Sequence, residues 1–248
     1  MLLSAKKIKS DNNTRIIWLH GWGQDHKSFL SMACLFNDCE NIMIDMAGFG
    51  AAKKPKEAWG TNDYALDLAQ YLKKEKISKK TYLIGHSFGC RVALRFAALF
   101  PNRVDGIVLI AAAGLKKKRS IFFKMKAAIL KLIARFIGKI DFLIKTNLKE
   151  KYSNKFGSPD YRNAKGIMRQ IFVKTISEDL SEIASDIKTN TILIFGKNDK
   201  DTPPEFGKRY NNLLTNSQYF ELPNFDHYSL LSQGKYQVQN IISNFIKN

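Results

Sequence analysis

Thr81-Tyr82-Leu83-Ile84-Gly85-His86-Ser87-Phe88-Gly89-Cys90-Arg91-Val92-Ala93 is the stretch whose reading decides the fold. Thr81 to Gly85 is a short apolar run of strand length, and Phe88 to Leu99 reads as a helix stopped near Pro101. Between them, Gly85-His86-Ser87-Phe88-Gly89 sets a serine on a sharp turn. Small residues two before and two after such a serine let strand and helix approach closely. Glycine and serine are common enough that G-x-S-x-G alone is a weak signal. The strand-turn-helix setting is what gives it weight.

Outward from this turn the pattern repeats. Strand candidates are Arg15–His20, Asn41–Asp45, Thr81–Gly85, Gly106–Ile110, Thr191–Phe195 and Gln218–Leu222. They are continuous apolar runs rather than alternating ones, as expected of parallel strands covered on both faces. Helical patterns lie between them. Thr61 is a candidate N-cap for a helix with Tyr64, Leu68, Tyr71 and Leu72 on one face. Pro203 and Pro204 can open a helix over Phe206 to Leu214, and a last helix runs from about Tyr228 to Ile246. Strands alternating with helices predict an α/β fold, a mostly parallel central sheet with helices on both faces. From Leu115 to about Ile187 no strand pattern occurs, only helical ones and a turn-like Phe156-Gly157-Ser158-Pro159. The expected division is therefore a core of 1–114 and 188–248, with a helical cap of 115–187 inserted between two core strands.

A serine hydroxyl needs a positioned base to act as a nucleophile. Of His20, His26, His86 and His227, only His227 lies in a loop after the last predicted strand. Loops at the carboxyl ends of parallel strands converge over one crevice, which brings His227 toward Ser87. His86 adjoins the serine, but its side chain points away, and a packing or hydrogen-bonding role is expected. A base of this kind needs a carboxylate to hold its tautomer. Asp199, just past the strand ending at Phe195, is favoured, with Asp201 as the competitor. His20-Gly21-Trp22-Gly23 follows the first strong strand, and its glycines let backbone amides turn inward. The amides of Trp22 and Phe88 are the expected oxyanion donors. Neither G-x-x-x-x-G-K-[ST] nor G-x-G-x-x-G occurs there, so the loop is not a phosphate cradle.

The chain has 248 residues, of which 45% are hydrophobic, enough for a sizeable core. No run reaches 18 uncharged apolar residues, and no signal-peptide h-region precedes the first lysines. Cys34, Cys39 and Cys90 make no disulfide framework, so a cytoplasmic location is expected. Net charge is +18, and Lys116 to Lys165 holds fifteen Lys/Arg against Asp141, Glu150 and Asp160, a net +12. Lys116-Lys117-Lys118-Arg119 opens this segment. A helical stretch from about Ile121 to Ile144 follows, with Lys124, Lys131 and Arg135 on one face. Either its apolar face packs on the core beneath solvated lysines, or it meets an acidic partner or an anionic membrane surface. A nucleic-acid partner is disfavoured for want of a binding motif.

These segments together are similar to the α/β-hydrolase fold family, in its serine esterase form with a helical cap. The similarity rests on His20–Gly23, Asp45-Met46-Ala47-Gly48-Phe49-Gly50, Gly85–Gly89, Asp199–Pro203 and His227, in that order, and covers nearly the whole chain. The resemblance implies a catalytic triad of Ser87, Asp199 and His227, with Trp22 and Phe88 forming the oxyanion hole. It implies an acyl-enzyme mechanism on a small-molecule ester or thioester, with no cofactor and no metal. Relatives that open epoxides or displace halide carry aspartate at the Ser87 position, and those activities are disfavoured. A carbon–carbon bond hydrolase or an aminopeptidase would use the same triad, and a binding module with little catalysis is the reading from a different class. Relatives with a His-Gly-Trp-Gly segment include esterases acting on pimeloyl-acyl carrier protein methyl ester, and an acidic acyl carrier protein would suit the basic cap. Phe122, Phe123, Leu130 and Phe172 are candidates to line an acyl or aromatic pocket. Ala47 stands where the family often has proline.

Overall fold

The apolar runs assemble into a seven-stranded sheet of order β1-β3-β2-β4-β5-β6-β7. The computed structural model describes residues 1–75, 79–117 and 158–247, together with Met125, Ala128, Ile129, Leu132, Ile133 and Ile137. In chain order the elements are β1 (Ser4–Ile8), β2 (Thr14–Leu19), α1 (Lys27–Ala33), β3 (Glu40–Asp45), α2 (Thr61–Leu72), β4 (Lys80–His86), α3 (Phe88–Leu99) and β5 (Gly106–Ile110). Then come α4 (Pro159–Asn163), α5 (Ile167–Ser177), α6 (Ser181–Asp186), β6 (Thr191–Gly196), α7 (Pro204–Leu213), β7 (Ser217–Leu222) and α8 (Lys235–Lys247). The six strands expected from their apolar runs form, and all pair in parallel.

Burial on both faces explains the continuous runs. Along β2, Ile17 and Leu19 join α2, α3 and α7 in one cluster, while Ile16 and Trp18 join α1 and α8 in the other. Alternate side chains of a strand point to opposite faces, and here each face has a helical layer to bury them.

Three features depart from the sequence reading. The strand β1, in the sequence Ser-Ala-Lys-Lys-Ile, pairs antiparallel to β3, with Ser4 opposite Asp45. Its exposed Lys6 and Lys7 hide the strand pattern and suit an edge. Thr61 is the first helical residue of α2 rather than its cap; Gly60 precedes the helix and donates its N–H to Asp63 at 2.7 Å. The Thr61 hydroxyl instead donates to Glu178, at the end of α5. The last helix begins at Lys235, because Ser229–Leu231 forms a separate 3₁₀ turn.

Between β5 and β6 the described elements are helices α4 to α6. The Phe156–Pro159 signal resolves at its described end into Ser158 capping α4, with Pro159 in the first turn. Ile171, Leu180 and Ala184 are buried in the same cluster as α3, and the Leu180 amide donates to Gly114 at 2.9 Å. Most of the expected basic helix, with Lys118, Arg119, Lys124, Lys131 and Arg135, lies outside the described residues, as do Phe122, Phe123 and Leu130. Met125, Ile129, Leu132 and Ile133 are helical and exposed, not packed on the core. No helix among the described residues is long and apolar enough to cross a membrane.

Candidate active site

The sheet order reverses at β2, which has β3 on one side and β4 on the other. In open α/β sheets, the crevice beyond the carboxyl ends at such a switch point is where ligands bind. The loop after β2 carries Gly21 and Trp22, and the turn after β4 carries Ser87. Leu19 pairs with Gly85, so these two loops leave the sheet side by side.

Ser87 has φ 50° and ψ −106°, a backbone region that L-residues other than glycine rarely adopt. The strain is sustained by close packing around it. A Cβ at Gly89 would lie 2.0 Å from the Leu19 carbonyl oxygen, and one at Gly85 2.6 Å from the Cys90 amide nitrogen. The Ser87 amide donates to Ile110 at 3.0 Å and its carbonyl accepts from Cys90 at 3.2 Å, while its hydroxyl has no partner among the described residues.

His227, beyond β7, is buried, and its Nδ1 donates to Asp199 Oδ2 at 2.8 Å. Asp199, beyond β6, accepts the Asp201 and Thr202 amides on Oδ1, each at 2.8 Å, and lies 2.9 Å from the Thr202 hydroxyl on Oδ2. Burial pushes the Asp199 carboxyl up, but the hydrogen bond and charge of His227 and the Thr202 donors outweigh it and hold the group below its ordinary range. Asp199 is thus the carboxylate on the imidazole; Asp201 contributes its backbone amide. With Nδ1 committed to Asp199, the Nε2 lone pair of a neutral His227 is free to take a proton. No hydrogen bond joins Ser87 to His227 here, but both open onto one cavity of about 280 Å³. Such contacts are often long in unliganded enzymes and tighten with substrate.

The amides of Trp22 and Phe88 have no acceptor among the described residues. His20 sets the orientation of the first. Its Nδ1 donates to the Gly21 carbonyl at 2.7 Å, while its Nε2 accepts from Met46 at 3.1 Å. With the Gly21 carbonyl held, the Trp22 N–H of the same planar peptide points the opposite way. Burial pulls His20 down to about 4, so it is neutral, as this pairing requires.

His86 lines the cavity beside Ser87, with no hydrogen bond to it among the described residues. Its Nε2 donates to the His227 carbonyl at 2.8 Å, and burial and the neighbouring His227 pull it down to about 3. The sequence reading missed Thr202, His20 and Arg91, another cavity residue. An Asp followed three residues later by Thr, at a strand end, is a local turn signal that could have found Thr202. Nothing local marks the other two.

Trp22, Phe88 and Phe172 form an aromatic wall, with Trp22 centred 5.3 Å from Phe88 and 5.0 Å from Phe172. A second cavity of about 550 Å³ shares Trp22, Gln24, Asp160 and Tyr228 with the first. Among the described residues, two groups of side chains have metal-ligand spacing, Asp25-His26-Asp45 and Asp199-Asp201-His227. In each, the buried carboxylate already accepts protein donors on both oxygens: Asp45 from His26 and Ala51, Asp199 as above.

Residues 14–233 match the family described as the alpha/beta hydrolase fold. The chain belongs to the α/β-hydrolase fold family. Among sequence relatives, this α/β-hydrolase is 25% identical over 205 residues to 2-hydroxy-6-oxo-2,4-heptadienoate hydrolase of Pseudomonas putida, covering 78% of this chain and 74% of that one. It is 21% identical over 240 residues to Lipase 3 of a Moraxella species, covering 92% and 76%. A lipase-esterase related protein from Clostridium acetobutylicum superposes with a TM-score of 0.74 at 20% identity, over 99% of this chain and 100% of that one. The last shows the shared fold; the first two carry names of hydrolytic enzymes.

Proposed function

We propose that this α/β-hydrolase is a serine hydrolase that cleaves a carboxylic ester or thioester through an acyl-enzyme on Ser87. The observation that carries this reading is a strained, unpartnered serine sharing a cavity with an imidazole already paired to a buried carboxylate. Ser87 Oγ attacks the carbonyl carbon while His227 Nε2 takes its proton. The Trp22 and Phe88 amides hold the tetrahedral oxyanion, a donor of this kind being typically worth about 3 kcal/mol. His227 then protonates the departing alcohol or thiol, and water activated by the same imidazole releases the acid. Asp199 orients the ring and stabilises the imidazolium. Residues 115–187 act as the cap, with Phe172 and Ile176 against the substrate.

A fluorophosphonate probe tests the assignment: wild type is labelled and turns over short ethyl esters, and Ser87→Ala does neither. Equal labelling of the two proteins would sink it. A second reading, cleavage next to the ketone of an oxo acid, is favoured by the relative named a 2-hydroxy-6-oxo-2,4-heptadienoate hydrolase. Turnover of such a dienoate well above that of any ester would select it over ester cleavage.

A further inference from the structure

Arg91 lies in the first turn of α3, four residues beyond Ser87, and lines the same cavity. The residue is 7% exposed and is the one lysine or arginine among the described residues lining the Ser87 cavity. Its Nη1 donates to the carbonyls of Thr175 at 2.9 Å and Glu178 at 3.2 Å, at the C-terminal end of α5. These two bonds use both Nη1 protons and fix the plane of the fork.

A guanidinium has five N–H donors. Among the described residues, nothing accepts from Nε or Nη2, and no carboxylate pairs with Arg91. Nor are those donors sealed in. His86 Nδ1 is the only fully occluded side-chain polar atom without a partner among the described residues, so the spare donors of Arg91 reach open space. Arg91 is also a lining residue of the Ser87 cavity. The negative end of the α5 dipole offsets part of the buried charge but leaves the free side of the fork unmatched. That side suits a planar, two-oxygen anion. Asp160 and Asp201 line the cavity as well, and Asp160 lies in the field of Asp201 and His227. Their charges repel an anion from the His227 end and leave the α5 end for it.

We infer that Arg91 is a carboxylate-binding residue, and that the substrate is an ester or thioester whose acyl part bears a second, ionised carboxylate a short chain away from the scissile carbonyl. The ester half of this inference rests on the Ser87 reading; the anion half does not. Monoethyl glutarate and ethyl pentanoate have five-carbon acyl chains that differ in the terminal charge, and a pH-stat follows the acid each releases. Wild type is expected to favour the glutarate in kcat/KM by about 10-fold or more. Arg91→Met should shrink that ratio by about 10- to 100-fold, the range for a hydrogen-bonded charged group. A wild-type preference for the neutral ester, or a ratio unchanged by Arg91→Met, overturns the inference.

Calorimetry on Ser87→Ala separates the two readings. Glutarate should bind, neutral glutaramide should bind at least 10-fold more weakly, and the difference should vanish when Arg91→Met is added. Glutarate binding without any ester turnover or Ser87 labelling would remove the serine-hydrolase reading and keep the anion site. Ester turnover with equal affinity for the two ligands would do the reverse. The ligand comparison in wild type decides the matter even if Arg91→Met, deprived of its bonds to α5, fails to fold.

Discussion

The two sides of the Ser87 cavity are built differently. On the sheet side, Ser87, Asp199 and His227 leave β4, β6 and β7, and their supporting atoms are matched: Asp199 accepts on both oxygens, and the His227 ring and carbonyl are each held. On the helical side, α5 offers Phe172, Thr175 and Ile176, and Arg91 keeps donors unmatched among the described residues. Matched bonds around Asp199 and His227 fix geometry for one reaction, even with His86 Nδ1 unpartnered among the described residues, whereas unspent donors and apolar wall select what enters. The contrast teaches where substitutions should abolish chemistry and where they should redirect it.

The largest effect should come from Ser87→Ala, which on the acyl-enzyme reading lowers kcat by about 10⁶-fold on every ester alike. Selective loss on one substrate would break the contrast. Asp199→Asn should cost about 10⁴-fold, because the amide no longer enforces the Nδ1–H tautomer. Asp201→Asn, which keeps the backbone amide that Asp199 uses, should cost less than about 10-fold; reversed magnitudes would exchange their roles. Gly89→Ala forces a methyl against the Leu19 carbonyl and should destabilise the fold by about 3 kcal/mol, read from the urea midpoint.

A smaller effect concerns pH. His20 and His86 ionise at about 4 and about 3 when folded, against 6.5 ordinarily. Between pH 6.5 and 4 the unfolded chain binds protons that the native state refuses, so stability falls as pH falls. Each histidine contributes up to about 1.4 kcal/mol per pH unit across that window. Urea midpoints at pH 7, 6 and 5 should decline, and replacing His86 by Asn should flatten the decline. A midpoint that rises toward pH 5 would contradict their neutrality.

The sequence announces what depends on near neighbours. Strands β2 to β7 were legible because burial on both faces leaves unbroken apolar runs, and the Ser87 turn because its glycines are required within two residues. The strand β1 was hidden because an edge tolerates Lys6 and Lys7. The short helix α1 has no capping side chain to mark its start. Asp199 could be favoured over Asp201 and joined to His227 through the order of the family's motifs, and the structure shows that hydrogen bond. The bonds from Thr202 to Ala111, from Arg91 to Thr175 and from His86 to His227 span 91, 84 and 141 residues, and no local pattern encodes such partners.

The position of β7 bears on the order of assembly. This outermost strand pairs with β6 alone, and the loop that follows it delivers the imidazole to a turn formed some 140 residues earlier. Long-range closures of this kind are slow, because chain entropy is lost before contacts repay it. During synthesis, the strained serine turn can therefore form before the His227 loop reaches it, and on the acyl-enzyme reading the growing chain stays hydrolytically silent until β7 docks.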